Sequence, residues 1–242
     1  MLNKLSILLL LTSLTVACGK SGGGSSGSGP QSSAAEDGIT NEEVVNQPIE
    51  SSDEDTLTGE ANQPSDDTPT TPVPTKAITF DTNITTYKFS RAGERKIDSA
   101  AELIKAVVSS EEFKKKVLNH KVNGKKTFVD NQGLTNAQIY KRILDASEKL
   151  NPGKNNTMDL EVQLYTDNDS NTVGYTYPSR NRVWMNSKYF NKNTPALVTT
   201  NMMHEWLHKL GFKHDVENTP TRKYSVPYAV GYMVRDLAKK IK

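Results

Sequence analysis

Cysteine is almost missing from this chain of 242 residues, which has one, Cys18. A single thiol excludes an internal disulfide framework and any cysteine-rich zinc or iron-sulfur site. Apolar residues are scarce as well, at 35% with a mean hydropathy of -0.61, so one core using the whole length is not expected. Residues 19–76 contain no aromatic side chain, and no internal repeat runs through the chain. The apolar stretch Leu5 to Leu14 is too short to span a bilayer permanently. The formal net charge of +2 hides a division: residues 19–76 carry about 11 Asp+Glu against 2 Lys+Arg, and residues 77–242 about 17 against 27. The first segment is acidic and the second basic.

Lys4 ahead of Leu5 to Leu14 has the form of an export signal. The run continues into Thr15-Val16-Ala17-Cys18-Gly19, which resembles a bacterial lipobox. The resemblance implies a lipoprotein signal peptide over residues 1–18, with Cys18 diacylated as residue one of the mature chain. The family pattern prefers Leu where Thr15 stands, which leaves ordinary cleavage after a small residue as the alternative. Lipidation predicts an exported protein held at the outer membrane or cell surface, facing the periplasm or exterior, and touching the membrane through its lipid anchor only. Residues 19–76 are Gly/Ser-rich, then acidic, then Thr/Pro-rich, a composition that cannot bury enough surface to offset chain entropy. They are expected to form a disordered tether. An inhibitory propeptide is the other reading, but it needs a packed unit or a ligand residue, and neither is visible.

Residues 77–242 have the composition and size of one domain, about 165 residues. Thr86 to Ser90 and Thr127 to Val129 read as short strands, and Asp98 starts a helix with Leu103, Ile104, Val107 and Val108 on its apolar face. Thr135 caps a helix carrying Ile139, Ile143, Leu144 and Leu150 that stops at Pro152-Gly153. Leu160, Val162 and Leu164 alternate as a half-buried strand. Val173 to Tyr177 and Arg182 to Phe190 read as two more, joined at Pro178-Ser179-Arg180. Thr194-Pro195 opens a long helix that Gly211 ends. Ser225-Val226-Pro227 starts a last helix with Val230, Met233, Leu237 and Ile241 as its stripe. The fold class expected is α+β.

The long helix carries His204-Glu205-Trp206-Leu207-His208 and continues through Gly211 to His214. Histidines four apart lie one turn above the other and can face one ion. Glu205 is displaced by about 100 degrees around the axis, where it can reach a metal-activated water without ligating the metal. Gly211 can take a positive φ and turn the chain so that His214 becomes a third ligand. Three neutral imidazoles leave the fourth tetrahedral position of a zinc ion open, which distinguishes a catalytic from a structural site. Asp215 is the reserve ligand if His214 points away.

This segment resembles the metzincin clan of zinc metallopeptidases, whose signature is HExxHxxGxxH, and Asp215 after the third histidine is similar to astacin-like and adamalysin-like versions. The resemblance implies Zn²⁺ on His204, His208 and His214, Glu205 as general base and acid, and a small twisted mixed sheet with an antiparallel edge strand, packed on helices including the zinc helix. It makes Arg182 to Phe190 the edge strand, with Val183 to Asn186 beside a bound peptide. Metzincins place a methionine turn beneath the metal. The only methionine after His214 is Met233, and core packing is the better reading for it, leaving Ser225 to Tyr228 as the turn below the site. Tyr224, Tyr228 and Tyr232 are candidate oxyanion stabilisers, and Val216 to Val226 are expected to shape the pocket.

The function expected is a monomeric zinc-dependent endopeptidase acting on peptide or protein substrates. A catalytically silent zinc-containing surface binding protein and an amidase acting on cell-wall peptides are the alternatives; an intact Glu205 disfavours the binder, since a pure binding site has no use for a base. Asp167-Asn168-Asp169 lacks the glycine and glutamate of a calcium loop and reads as a turn. His120 reads as solvated. The lysines of Lys114 to Lys116 and Lys121 to Lys126 read as a solvated face, because no nucleic-acid motif accompanies them.

Overall fold

The computed structural model describes residues 79–241, so Cys18, the lipobox-like segment and the tether lie outside the described residues. In chain order the elements are β1 (Asp81–Tyr87), α1 (Arg91–Val108), α2 (Glu111–Asn119), β2 (Lys121–Val122), β3 (Lys125–Lys126), α3 (Asn136–Asp145), β4 (Thr157–Tyr165), β5 (Gly174–Thr176), β6 (Arg182–Asn186), α4 (Ser187–Phe190), α5 (Pro195–Lys209) and α6 (Val226–Ala238). The domain is α+β, with a mixed four-stranded sheet in the order β1-β4-β6-β5. β1, β4 and β6 run parallel, and β5 pairs antiparallel with β6. The parallel pair β1 and β4 needs a long crossover, supplied by α1 to α3.

Alternation builds the sheet. Met158, Leu160 and Val162 of β4 point inward with Val183 and Met185 of β6, all at most 3% exposed, and the register sets Val162 opposite Val183. Against this face lies α5, whose residues Val198 to Lys209 are all buried. Its two ends are defined by local chemistry. The Thr194 hydroxyl accepts from the Leu197 amide with Pro195 in the first turn, and a Schellman closure follows His208: the Phe212 amide donates to the Leu207 carbonyl and that of Gly211 to His208. On the other side α6 approaches closely at Gly231, where a Cβ would lie 3.2 Å from the Thr200 carbonyl oxygen.

Several boundaries differ from expectation. α1 begins at Arg91, seven residues before Asp98, because Ser90 caps it by accepting from the Gly93 amide and its polar first turn shows no apolar period. α3 is capped by Thr135 with a reciprocal Gln138 bond, but it ends at Ala146, φ 47°, leaving Leu150 48% exposed. The chain turns there so that Glu148 and Lys149 can bond to Trp206 and the Lys209 carbonyl. Thr127 to Val129 makes only an isolated bridge, from Val129 to Ser225. The hairpin lies just before it, β2 and β3 turning on Asn123 (φ 51°) and Gly124 (φ 78°), the Asn-Gly pair that a two-residue turn requires.

The strand expected over Arg182 to Phe190 stops at Asn186, whose side chain accepts from the Lys188 amide and starts α4. It is also interior: the antiparallel edge is β5, not the strand preceding α5. His120 is not solvated. Its ring stacks on Phe128 at 4.1 Å, Nδ1 lies 2.8 Å from the Thr127 carbonyl, and burial lowers its pKa. Asp167 to Asp169 is a turn, the Asp167 carboxylate accepting from the amides of Asp169 and Ser170. No helix among the described residues is long and apolar enough to cross a membrane.

Candidate metal centre

Helical spacing brings His204 and His208 together, with 3.2 Å between their Nε2 atoms. His214 returns to them because Gly211 adopts φ +96°, and its Nε2 lies 3.1 Å from that of His204. All three ligand atoms fall within 4.8 Å of one another. A tetrahedral ion with metal-nitrogen bonds of about 2.0–2.1 Å separates its ligand nitrogens by about 3.3–3.4 Å, so the cluster could hold a metal ion. His208 Nδ1 donates to the Phe212 carbonyl at 2.8 Å, which leaves its Nε2 as the lone-pair nitrogen. His214 Nδ1 lies 2.8 Å from the Asp215 carbonyl.

Asp215 contributes its carbonyl only. Its carboxylate is exposed and accepts from the Thr219 hydroxyl at 3.1 Å, so the reserve ligand is not brought into the cluster. Glu205 is buried beside it, accepting from the Asn201 amide at 3.4 Å. Its charge reaches two further groups. It contributes to the raised pKa of the Tyr165 phenol after burial, Tyr175 and Asp167, and it opposes the burial that pushes the Lys209 ammonium down to about 8.

The three tyrosines separate. Tyr228 lies against the ligands, its ring 4.5 Å from that of His204 and 4.6 Å from that of His214. Tyr232 stands behind it at 6.0 Å. Tyr224 turns toward His120 instead. Arg222 is buried with its guanidinium over Tyr228 and Nε 3.3 Å from His214 Nδ1. Met233 is within α6 and packs in the main core; the chain beneath the histidines is the start of that helix, where Tyr228 is the side chain in contact.

Four residues packed on or around the helix that carries the histidines were not apparent from sequence. Asn201 precedes Glu205 by one turn and is pressed against Gly174 of β5, where a Cβ would lie 2.5 Å from its Oδ1. Glu148 accepts from the indole of Trp206 at 2.7 Å, and Tyr165 ends β4. Lys209 is 4% exposed and donates into the β5–β6 connection. The Asn201 spacing, i to i+4 from Glu205, was the one legible signal; the others depend on partners distant in sequence. Compared with protein-family models, curated proteins and solved structures, the chain matches none.

Proposed function

We propose that the chain is a zinc-dependent peptidase in which His204, His208 and His214 hold the ion and Glu205 moves the proton. The observation that carries this reading is the convergence of three imidazole Nε2 atoms next to a buried carboxylate on the same helix as two of them. Zinc, when bound, supplies Lewis acidity that polarises a scissile carbonyl and makes water nucleophilic at neutral pH. Glu205 takes the proton from the attacking water and returns it to the leaving amine. Asn201 holds the Glu205 carboxylate by donating to one oxygen. Tyr228 packs against His204 and His214, and the carbonyls of Phe212 and Asp215 orient the rings of His208 and His214. The Thr15 to Gly19 pattern supports anchoring of this activity outside the cell through Cys18.

The test is a pair of measurements on the exported chain. It should bind one zinc per molecule, and a His204→Ala/His208→Ala double variant should lose it. Glu205→Gln keeps shape and ligands, so zinc content and unfolding temperature should stay near wild type while cleavage of unfolded casein falls by about 10²- to 10⁴-fold. Full zinc occupancy in the double variant rejects the metal site. A wild type inactive on casein and on peptide pools points to a zinc-containing binding protein. The acyl mass on Cys18, absent from Cys18→Ser, checks the anchor.

A further inference from the structure

Lys209 follows a ligand histidine directly, in the last turn of α5, and is 4% exposed. An ammonium has three donors and no acceptor, and burying it without partners is strongly unfavourable. The hydrogen bonds of its ammonium go to one short segment. Nζ donates to the carbonyls of Tyr177 at 3.0 Å, of Arg180, and of Arg182 at 3.4 Å. Tyr177 directly follows β5, Arg180 is in the turn and Arg182 opens β6, so one cation gathers the whole β5–β6 connection onto the metal helix.

The strand held this way needs an outside support. β5 has three residues and a neighbour on one side only, and so short an edge is marginal by its own pairing. At its other end Gly174 rests on Asn201 of the same helix, too close for any side chain at that position. Asn201 and Lys209 are eight residues apart, about 12 Å along a helix. Both ends of the edge strand are therefore referenced to α5, which also carries His204, Glu205 and His208.

The geometry points to Lys209 as a positioning residue that sets the free edge of β5 at a fixed height and register relative to the metal ligands. Its consequence for turnover rests on the peptidase reading. An extended substrate lying along β5 presents its bond to Glu205 and the metal only if the edge is in register, so loss of the latch weakens binding of long substrates more than it slows the chemical step.

The experiment uses the full exported chain with zinc bound, and compares wild type with Lys209→Met, which keeps the aliphatic stem and deletes the ammonium. Amide hydrogen exchange should accelerate by about tenfold or more over residues 174–182 while the β1–β4 pairing is unchanged. Zinc occupancy should stay at one per chain. On an eight-residue fluorogenic peptide spanning a bond that the wild type cuts in casein, KM should rise by about tenfold with kcat within about threefold, the pattern of lost uniform binding. Unaltered exchange in residues 174–182 overturns the proposal, as does a fall in kcat at constant KM. If the wild type cleaves nothing, the peptidase reading fails and the exchange measurement still decides Lys209. Should Lys209→Met fail to fold, Lys209→Gln and the wild type itself decide it: the Lys209 ammonium must give a slowly exchanging Nζ resonance coupled to the carbonyl carbons of Tyr177 and Arg180, and its absence overturns the latch.

Discussion

Glu148 is 3% exposed, and its Oε1 accepts from both the Trp206 indole at 2.7 Å and the Asp159 amide at 3.2 Å. Oε2 has no hydrogen-bond partner among the described residues. Burial raises the pKa of this carboxyl above 4.5, more than the Trp206 indole and the backbone amides lower it. The folded state thus keeps its proton at a pH where the unfolded chain has lost it. Stability from this group is fully present below about pH 4.5 and is lost as pH rises through the folded value. Glu148→Gln retains an oxygen for Trp206 and removes the ionisation. Urea unfolding should show the variant more stable than wild type at pH 7.5, by on the order of 1 kcal/mol, with the difference vanishing near pH 4. Equal differences at both pH values would show that the carboxyl does not titrate in this window. Tyr228 has a more direct bearing on the site: Tyr228→Ala removes the ring in contact with both His204 and His214 and should cost about 3–5 kcal/mol of stability. Tyr228→Phe keeps the packing and should retain zinc.

The turn after α5 is the element on which the position of His214 depends. Gly211 has φ +96°, and a Cβ there would lie 2.5 Å from Lys149 Cε, the end of a flexible side chain that can shift. The backbone angle is the lasting obstacle, since an L-residue rarely adopts it. Gly211→Ala should destabilise the domain by about 1–2 kcal/mol and weaken zinc binding further than that, because the Schellman closure through Phe212 also fixes the acceptor for His208 Nδ1. Competition against a zinc-chelating dye measures the second effect. Unchanged zinc affinity in a folded Gly211→Ala variant would mean that His214 reaches the site by another path. The same closure exposes the Gly211 carbonyl to Gln132, which donates to it, so the loop before α3 also supports this turn.

For the domain as a body, metal binding is expected to be a large part of stability, since the three ligands come from both ends of a segment that joins the core helix to an exposed loop. Ligand held at about 1,000 times its Kd stabilises by about 4 kcal/mol. At the usual sensitivity for a domain of this size, removing zinc with a chelator should lower the unfolding temperature by on the order of 10 °C. Calorimetry with and without chelator checks this, and no shift would argue that the cluster does not bind metal in solution. What was readable without coordinates is what depends on neighbours a few residues away. The Thr194-Pro195 start, the His204 to His208 spacing and the Gly211 turn were all predicted and all hold, because caps, helical periodicity and positive φ are decided within about one turn of chain. The Asn-Gly hairpin at residues 123 and 124 is of the same local kind. The end of α3, the interior position of β6 and the burial of Glu148 and Lys209 could not be read this way. Trp206 is 58 residues from Glu148, and Arg180 is 29 from Lys209; a buried polar group is determined by partners that only the packed fold brings within reach.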